Sequence, residues 1–350
     1  MKNISCIIKL FFYSFFTFLW VSCKDNPKPI AQTPKADLKK TKLEGAIKTQ
    51  NFITYALVTD SISRKTIKMK KEEFSIIFNK YGFELEEFYR NDSLEKHSFF
   101  DYDANFRRIT ENYITLDKKK FSTERILNHI LYDSLGYEVE RNSYFYQDTT
   151  ITAKKYNFSY DDKGQKTAQV EYIFNENYWK PTSKLNYEYN EQGKEIEKRT
   201  SEYYLFLWIT KEKETHTYTD NLLKKSYFSN AKDSISVKEI IYNYKGREQI
   251  ATYINKEEEI LYTTSYLYDN RGNILKTIQY NPENIEKETN FYIYTPQNKL
   301  LEMITYQEGK ETQRIFYEYN TKGNITKENV YKNGKLTRIT EVKYTYYDTQ

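Results

Sequence analysis

The chain of 350 residues has few of the residue types from which small catalytic and metal-binding sites are built. It contains two cysteines, three histidines, ten glycines and six prolines. No thiol lies after Cys23, so neither cysteine catalysis nor an intrachain disulfide is possible beyond that residue. No segment matches a P-loop, a dinucleotide-binding glycine motif or a Gly-x-Ser-x-Gly nucleophile turn. We therefore expect no catalytic residue, no cofactor and no metal site.

The polar clusters that remain have simpler interpretations. His97, His129 and His216 are far apart in the sequence and lie in no zinc-binding or nucleophile-activating motif. The acidic run Glu257–Glu259 follows Asn255-Lys256 between two predicted strands. This pattern is typical of an exposed turn and does not indicate a cation site.

Tyrosine, in contrast, is abundant, with 36 residues, and its positions follow a pattern. The clearest copy is Ser265–Tyr280, where Asp269–Gly272 predicts a type I turn between two strands. An Asp at the first turn position can accept a hydrogen bond from the N–H two residues on, and a Gly at the fourth can adopt positive φ. The flanking residues are β-branched and aromatic, so the stretch predicts a β-hairpin.

This pattern recurs from about residue 76 to the C-terminus. When the copies are aligned on Gly272, an aromatic residue lies four positions earlier in all ten, and Asp or Asn lies three positions earlier in eight. The copies are 24 to 30 residues apart, which suits two strands and two turns. The wider spacings predict longer turns in the middle of the chain. The aligned positions are Gly82, Phe106, Gly136, Gly164, Gly193, Leu222, Gly246, Gly272, Asn298 and Gly323. The structural turn residues include Asp161, Gly164, Gly193, Asp269, Gly272, Asn320 and Gly323.

The repeat predicts an all-β fold. One hairpin cannot bury its apolar face alone, whereas neighbours in an array can. We expect an antiparallel array of hairpins over residues 51–350 that curls into a superhelix, an open shell or a barrel-like structure. Tyrosine suits a thin sheet, because it buries a large area while its hydroxyl remains in water. The charged run Lys68–Glu73 predicts a short helix or an exposed turn.

The repeats resemble the YD repeats of the RHS family. The similarity is carried by Tyr268-Asp269-Asn270-Arg271-Gly272-Asn273-Ile274, followed by Tyr160–Gly164 and Tyr319–Ile325. Tyr331–Leu336 is more similar to the Asn-Gly hairpins of MORN-type repeats. Degenerate YD-like repeats of this kind also look typical of small surface lipoproteins of the Bacteroidota. The resemblance implies a β-hairpin shell and, as one functional expectation, a component of a toxin system.

Residues 1–22 have the proportions of a signal peptide. Lys2 and Lys9 precede the mostly apolar run Leu10–Val21, which is shorter than the roughly 20 residues of a membrane-spanning helix. Leu19-Trp20-Val21-Ser22-Cys23 resembles a bacterial lipobox, which implies acylation of Cys23. Residues 23–50 contain three prolines among Lys, Gln, Thr and Ala, a composition that predicts a flexible tether.

The positive charge belongs to these N-terminal segments. Residues 1–22 carry two lysines, and residues 24–50 carry seven lysines and three acids, so these two segments contribute +2 and +4. The whole chain is +5 (54 minus 49), which leaves −1 for residues 51–350. A nucleic-acid partner would require a basic folded domain, so it is not expected. The predicted location is the outer membrane of a Gram-negative bacterium, facing the periplasm or the cell surface.

The densest aromatic region is the candidate binding surface. Aromatic faces stack on sugar rings and fill pockets at protein interfaces. We expect a non-enzymatic, envelope-anchored binding or scaffold module whose ligand is a glycan or another envelope protein. The alternatives are an RHS-like toxin-system component (a shell or a neutralising partner) and a glycan-active enzyme with two carboxylates roughly 5–9.5 Å apart. The surface comprises Tyr178, Trp179, Tyr203, Tyr204, Phe206 and Trp208.

Overall fold

The predicted all-β hairpin array is confirmed, and it is closed. The computed structural model describes residues 43–59, 65–147, 150–220, 222–229 and 237–348, all of which belong to one compact unit. The signal segment, Cys23 and most of the predicted tether lie outside these residues. The 22 strands are β1 (Ile47–Thr59), β2 (Thr66–Phe78), β3 (Glu84–Asn91), β4 (Leu94–Tyr102), β5 (Arg108–Asp117), β6 (Ser122–Tyr132), β7 (Glu138–Gln147), β8 (Thr150–Tyr160), β9 (Lys166–Asn175), β10 (Tyr178–Tyr189), β11 (Glu195–Tyr204), β12 (Leu207–Thr219), β13 (Leu222–Phe228), β14 (Glu239–Lys245), β15 (Glu248–Ile254), β16 (Ile260–Tyr268), β17 (Ile274–Tyr280), β18 (Glu286–Tyr294), β19 (Leu300–Gln307), β20 (Lys310–Tyr319), β21 (Ile325–Lys332) and β22 (Lys335–Tyr346).

Each strand pairs antiparallel with the next, and β1 pairs with both β2 and β22. The sheet is therefore a barrel without a free edge, which removes the unpaired row of N–H and C=O groups that an open array would expose. The first strand begins at Ile47, four residues before the predicted domain boundary at residue 51, because Ile47–Ala56 is needed to pair with β22. None of the described residues forms a helix that could cross a membrane.

The turns after even-numbered strands follow the repeat. Asp269 shows the arrangement: its Oδ1 accepts hydrogen bonds from the N–H groups of Arg271 and Asn273, both at 2.8 Å. Gly272 closes the turn with φ 83°, a left-handed conformation in which a Cβ would be strained. Asp161 and Asn320 accept the corresponding bonds in their own turns. Gly164, Gly193 and Gly323 adopt φ values of 77°, 77° and 82°.

Two of the ten aligned positions differ from the prediction. Leu222 begins β13 and pairs with Thr219, so it belongs to the strand and not to the turn. In the β14–β15 hairpin, Tyr242 and Asn243 lie within a strand, and the turn is Gly246–Arg247. These copies retain the aromatic position but close through a shorter turn.

The repeat tyrosines have a role that the sequence analysis did not anticipate. In seven of the repeats, and again at Tyr344 after the last one, the tyrosine hydroxyl donates to a backbone carbonyl just after the preceding repeat turn, as Tyr132 does to Arg108 at 2.9 Å; Tyr268 is an exception. The register shifts at the tyrosine itself, so each of these turns is followed by a β-bulge. A bulge interrupts the ladder, and a carbonyl freed there needs another donor. The pairs are Tyr102–Glu84, Tyr132–Arg108, Tyr160–Glu138, Tyr189–Lys166, Tyr218–Glu195, Tyr294–Ile274, Tyr319–Leu300 and Tyr344–Ile325.

The wide repeats lengthen strands, not turns. In the β9–β10 hairpin only residues 176 and 177 separate the strands, and in β11–β12 only residues 205 and 206 do. The extra residues extend β10 to 12 residues and β12 to 13. The charged run Lys68–Glu73, predicted as a helix or a turn, lies within β2, because β1 needs a partner of its own length.

The barrel wall is one sheet thick. On β6, Asn128 and Ile130 share the face of Tyr132 and are buried, whereas His129 and Leu131 alternate with them and are exposed. We call the face of the repeat tyrosines the inner face, because side chains crowd on the concave side of a closed sheet, and we call the other the outer face. The one cluster of buried side chains in the described residues, Ile47, Ile76 and Phe78, lies where β1 meets β2.

Candidate binding surface

The aromatic residues singled out from the sequence lie on two neighbouring hairpins, β9–β10 and β11–β12. The two hairpins are joined by the pairing of β10 with β11. Their turns belong to the set that follows odd-numbered strands. Because consecutive strands are antiparallel, all such turns lie at one end of the barrel, which we call the far end. The repeat turns and the beginning of β1 lie at the opposite end.

Trp179 is held on the outer face of the β9–β10 hairpin. Its ring meets Phe174 edge-on, with centroids 5.2 Å apart. The Lys155 ammonium lies 5.1 Å from the Trp179 ring and 5.2 Å from that of Tyr172. Aromatic pairs of this geometry and cation–π contacts hold rings in fixed orientations. The result is a small aromatic cluster with one positive charge.

Trp208 forms a second cluster on the β11–β12 hairpin. It meets Tyr203 at 5.0 Å, again edge-on, and the two residues pair directly across the hairpin. The turn itself is formed by Leu205 and Phe206, with φ values of 46° and 66°. Both side chains are highly exposed, at 72% and 87%.

The two tryptophans share the outer face. Trp179 shares its face with Pro181, which pairs with Tyr172. Tyr172 in turn pairs with Lys155, which lies between the inward-facing Lys154 and Tyr156 of β8. On the next hairpin, Ser201 pairs with Lys184 and shares the face of Tyr203. Each indole packs within its own hairpin, so the structure places two adjacent clusters on one face. Tyr178 and Tyr204 alternate with them at the hairpin ends and are also exposed.

Sequence reasoning missed Phe174 and Lys155 as members of this surface. Phe174 could have been found from the aromatic density alone. Lys155 belongs to another repeat, 24 residues before Trp179, and reaches the cluster only through the pairing of β8 with β9. Only the register of β8 against β9 shows that Lys155 and Trp179 are in contact.

The histidines lie on separate strands and in different surroundings. His97 packs between Phe88 and Phe99 on the outer face. His216 lies on the inner face, with Nδ1 2.9 Å from Ser226 and Nε2 3.4 Å from Glu214. The Glu195 carboxylate lies 3.9 Å from His216, and burial raises the pKa of this Glu195 carboxyl. Within the described ranges, no three His, Cys, Asp or Glu side chains gather closely enough to hold a metal ion.

Comparison with known proteins gives limited information. No family model matches the chain, and no curated protein matches it. Among solved structures, the TcdB2-TccC3-TEV structure is 9% identical over 94% of this chain, with a TM-score of 0.20, and this chain spans about a quarter (24%) of its length. A porin-like protein of Bacteroides uniformis ATCC 8492 is 13% identical over 86% of this chain and 99% of its own, with a TM-score of 0.23. A porin-like protein of Bacteroides vulgatus ATCC 8482 is 12% identical over 63% and 93%, with a TM-score of 0.24. Scores this low do not establish a common fold or function.

Proposed function

We propose that this protein is a non-enzymatic binding or scaffold module, anchored in the envelope of a Gram-negative bacterium through an acylated Cys23, and that it recognises a glycan or another envelope protein. The observation that carries the proposal is the pair of aromatic clusters on the outer face, around Trp179 and Trp208. Partly exposed rings that edge-on contacts hold in place, one of them beside Lys155, suit stacking on a sugar or anchoring in a protein pocket.

The geometry of the barrel agrees with this role. The described chain starts at the end that carries the repeat turns, and both clusters lie towards the far end. A tether that enters at one end keeps both clusters on the outer face away from the point of attachment. The closed sheet supplies a rigid support, since the clusters are built on strands that are paired on both sides.

The first test is a glycan-array screen of the unacylated chain, with Trp179→Ala and Trp208→Ala beside the wild type. Phe291→Ala is the matched control, because Phe291 pairs edge-on with Tyr306 on the outer face of a distant hairpin. We expect binding that weakens in the tryptophan variants and persists in the control. Binding that is equal in all four proteins would exclude this surface.

A screen without any glycan ligand would direct the test to protein partners, captured from the same envelope with the same variants. Release of shortened glycans during the incubation would contradict the non-enzymatic part of the proposal. Fatty-acid labelling that is absent from the wild type, or that persists in Cys23→Ser, would contradict acylation at that residue as the anchor.

A second candidate, an RHS-like shell or the neutralising partner of a toxin, is favoured by the closed sheet and by the resemblance of the repeats. A shell encloses its cargo against the inner face. Co-purification of a protein that protects inner-face lysines such as Lys154 from chemical modification, and leaves outer-face Lys155 reactive, would support this candidate over the outer-face surface.

A further inference from the structure

The far end of the barrel is not uniform around its rim. Four consecutive hairpins, β5–β6, β7–β8, β9–β10 and β11–β12, carry large apolar side chains at or next to their turns. Phe121 is 92% exposed, Ile151 63% and Phe206 87%, and Tyr178 and Leu207 are also exposed. Strands lie about 4.8 Å apart, so successive hairpin tips on this apolar arc are roughly 10 Å from one another.

The turns on the other side of the rim are polar. The β15–β16 turn carries Glu257 and Glu258, and the β17–β18 turn carries Glu283. We call these two turns the polar arc. The exposed apolar residue at each is Ile260, directly after the first turn, and Ile285, the last residue of the second. The same topology therefore produces two arcs of opposite character.

Turn geometry does not require the apolar residues. The β11–β12 turn places Leu205 and Phe206 at φ 46° and 66°, and the β21–β22 turn places Asn333 and Gly334 at 48° and 73°. Asn and Gly adopt the left-handed region readily, whereas a bulky residue there is strained. Leu205 and Phe206 thus occupy a turn that disfavours them and gain little burial in this chain.

Cations accompany the apolar tip of the β5–β6 hairpin. Lys118, Lys119 and Lys120 directly precede Phe121 in the β5–β6 turn. Lys118 binds Glu95 on the neighbouring hairpin, and Lys119 and Lys120 are exposed. Aromatic and aliphatic side chains next to lysines are the combination that binds the headgroup region of a bilayer that contains anionic lipid.

The outer wall itself is not suited to hydrocarbon. Arg314 lies 2.7 Å from both Glu302 and Glu311 on the outer face, and Lys68 lies 2.6 Å from Glu341. A barrel embedded in a membrane presents an apolar band there. Contact with lipid is therefore limited to the rim.

From these observations we infer that the apolar arc docks onto a lipid bilayer surface, with the tips of the β5–β6 and β11–β12 hairpins inserted at the headgroup level. A bilayer can accept several separate convex tips, whereas a protein partner would need a matching pocket for each. This inference goes beyond the proposed glycan or protein ligand, and it assigns Phe206 of the candidate binding surface to the bilayer. Residues 24–46, fully extended, span at most about 80 Å, and a strand of about ten residues is roughly 35 Å long, so acylation at Cys23 is compatible with docking on the same bilayer.

The test is flotation of residues 24–350 with vesicles of phosphatidylethanolamine and phosphatidylglycerol. This chain keeps every strand, since the pairing of the closed sheet begins at Ile47. Replacing the tip residues by serine, L205S/F206S, is expected to lower the vesicle-bound fraction about tenfold. The matched control is I260S/I285S on the polar arc, which is expected to bind like the wild type.

Absence of flotation by the wild type overturns the inference, as does an equal loss in both double variants. A second measurement does not depend on the folding of the variants. Trp208 lies on the same hairpin as Phe206, so brominated lipids should quench its fluorescence in a Trp179→Phe background. No quenching in vesicles that bind the protein overturns the inference as well.

Discussion

The barrel is held together differently at two strand junctions, which we call the closing seam (β1 with β2 and β22) and the β13–β14 seam. At the closing seam, β1 pairs along nearly its whole length, with Thr49–Thr59 opposite β2 and Ile47–Ala56 opposite β22. At the β13–β14 seam, only Lys225–Tyr227 pairs with Glu239–Ile241. The chain thus closes its ends more firmly than it joins two strands that are consecutive in sequence.

The closing seam also has tertiary contacts of its own. The Asn324 side chain is buried, with 2% exposure. It accepts a hydrogen bond from the Glu44 N–H at 2.7 Å and donates one to the Glu44 carbonyl at 2.8 Å. The Lys322 ammonium lies 3.6 Å from the centre of the Tyr346 ring, and the Tyr347 hydroxyl donates to the Phe78 carbonyl at 2.6 Å. Closure costs the entropy of joining distant segments, and these contacts offset that cost.

The largest expected effect is at the centre of the closing seam. Phe78 is 0% exposed and packs with Ile47 and Ile76, so Phe78→Ala should lower the free energy of unfolding by about 3–5 kcal/mol. Urea unfolding followed by circular dichroism measures this. Phe206→Ala is the control, since a side chain this exposed should change the value by no more than about 0.5 kcal/mol. Similar losses in the two variants would show that the seam contributes no special stability.

The weak seam should open first. A short ladder has few hydrogen bonds to break, so amides of Lys225–Tyr227 and Glu239–Ile241 should exchange about 100-fold faster than those of Asn51–Thr54 in β1. Hydrogen exchange followed by mass spectrometry compares the two sets. Slower exchange at β13–β14 than at β1 would reverse the comparison.

Asn324 tests the closing contacts without altering the buried apolar cluster. Asn324→Ala removes the two hydrogen bonds between the buried Asn324 side chain and the backbone of Glu44, which together should contribute about 1–3 kcal/mol. Asn329→Ala is the control, because its Nδ2 bonds to the exposed Glu318 side chain on the outer face. An Asn324 variant as stable as the control would mean that water replaces both bonds.

The smallest expected effect concerns single tyrosine hydroxyls. Tyr344 donates to Ile325 beside the closing seam, and Tyr344→Phe should cost about 1 kcal/mol. Tyr268 breaks the repeat rule, since its hydroxyl bonds to the Gln249 side chain and not to a carbonyl of the backbone. Tyr268→Phe should therefore cost less, and the difference between the two urea midpoints measures the value of the backbone contact.

The same tyrosines predict sensitivity to alkali. Burial raises the pKa of Tyr132 and of Tyr344 to about 12, whereas an unfolded tyrosine titrates near 10. The neutral hydroxyl is favoured in the folded state, so this stability is complete below pH ~10 and is lost as the pH rises towards ~12. The urea midpoint should decrease as the pH is raised from about 9 to about 11. Tyr132→Phe should make this decrease smaller.

Much of the local structure was predictable, because short-range chemistry decides it. Asp269 and Gly272 form the predicted turn through bonds and dihedral angles that involve only five residues. Leu222 and Gly246 were placed incorrectly, since a two-residue turn can close the same hairpin and the sequence does not distinguish the two. The wide repeats were assigned to longer turns, but strand length depends on the neighbouring strand with which each residue pairs.

The candidate site was predictable in composition and not in arrangement. The aromatic density around Trp179 and Trp208 is visible in the sequence, as is the apolar turn at Leu205 and Phe206. The sharing of one face by both tryptophans, and the approach of Lys155, depend on the register of five consecutive strands. A shift of one residue in any of them would turn those side chains to the inner face.

The sequence by itself determined an all-β chain of repeated hairpins, because the spacing of tyrosine, Asp or Asn, and glycine specifies turns and strands locally. It left three architectures open. Only the tertiary structure decided that the array is a closed barrel, since closure joins Ile47–Ala56 to β22 almost 300 residues away. The tertiary structure also explains why tyrosine recurs. The β-bulge after one repeat turn frees a backbone carbonyl, and the tyrosine hydroxyl of the next repeat donates a hydrogen bond to it.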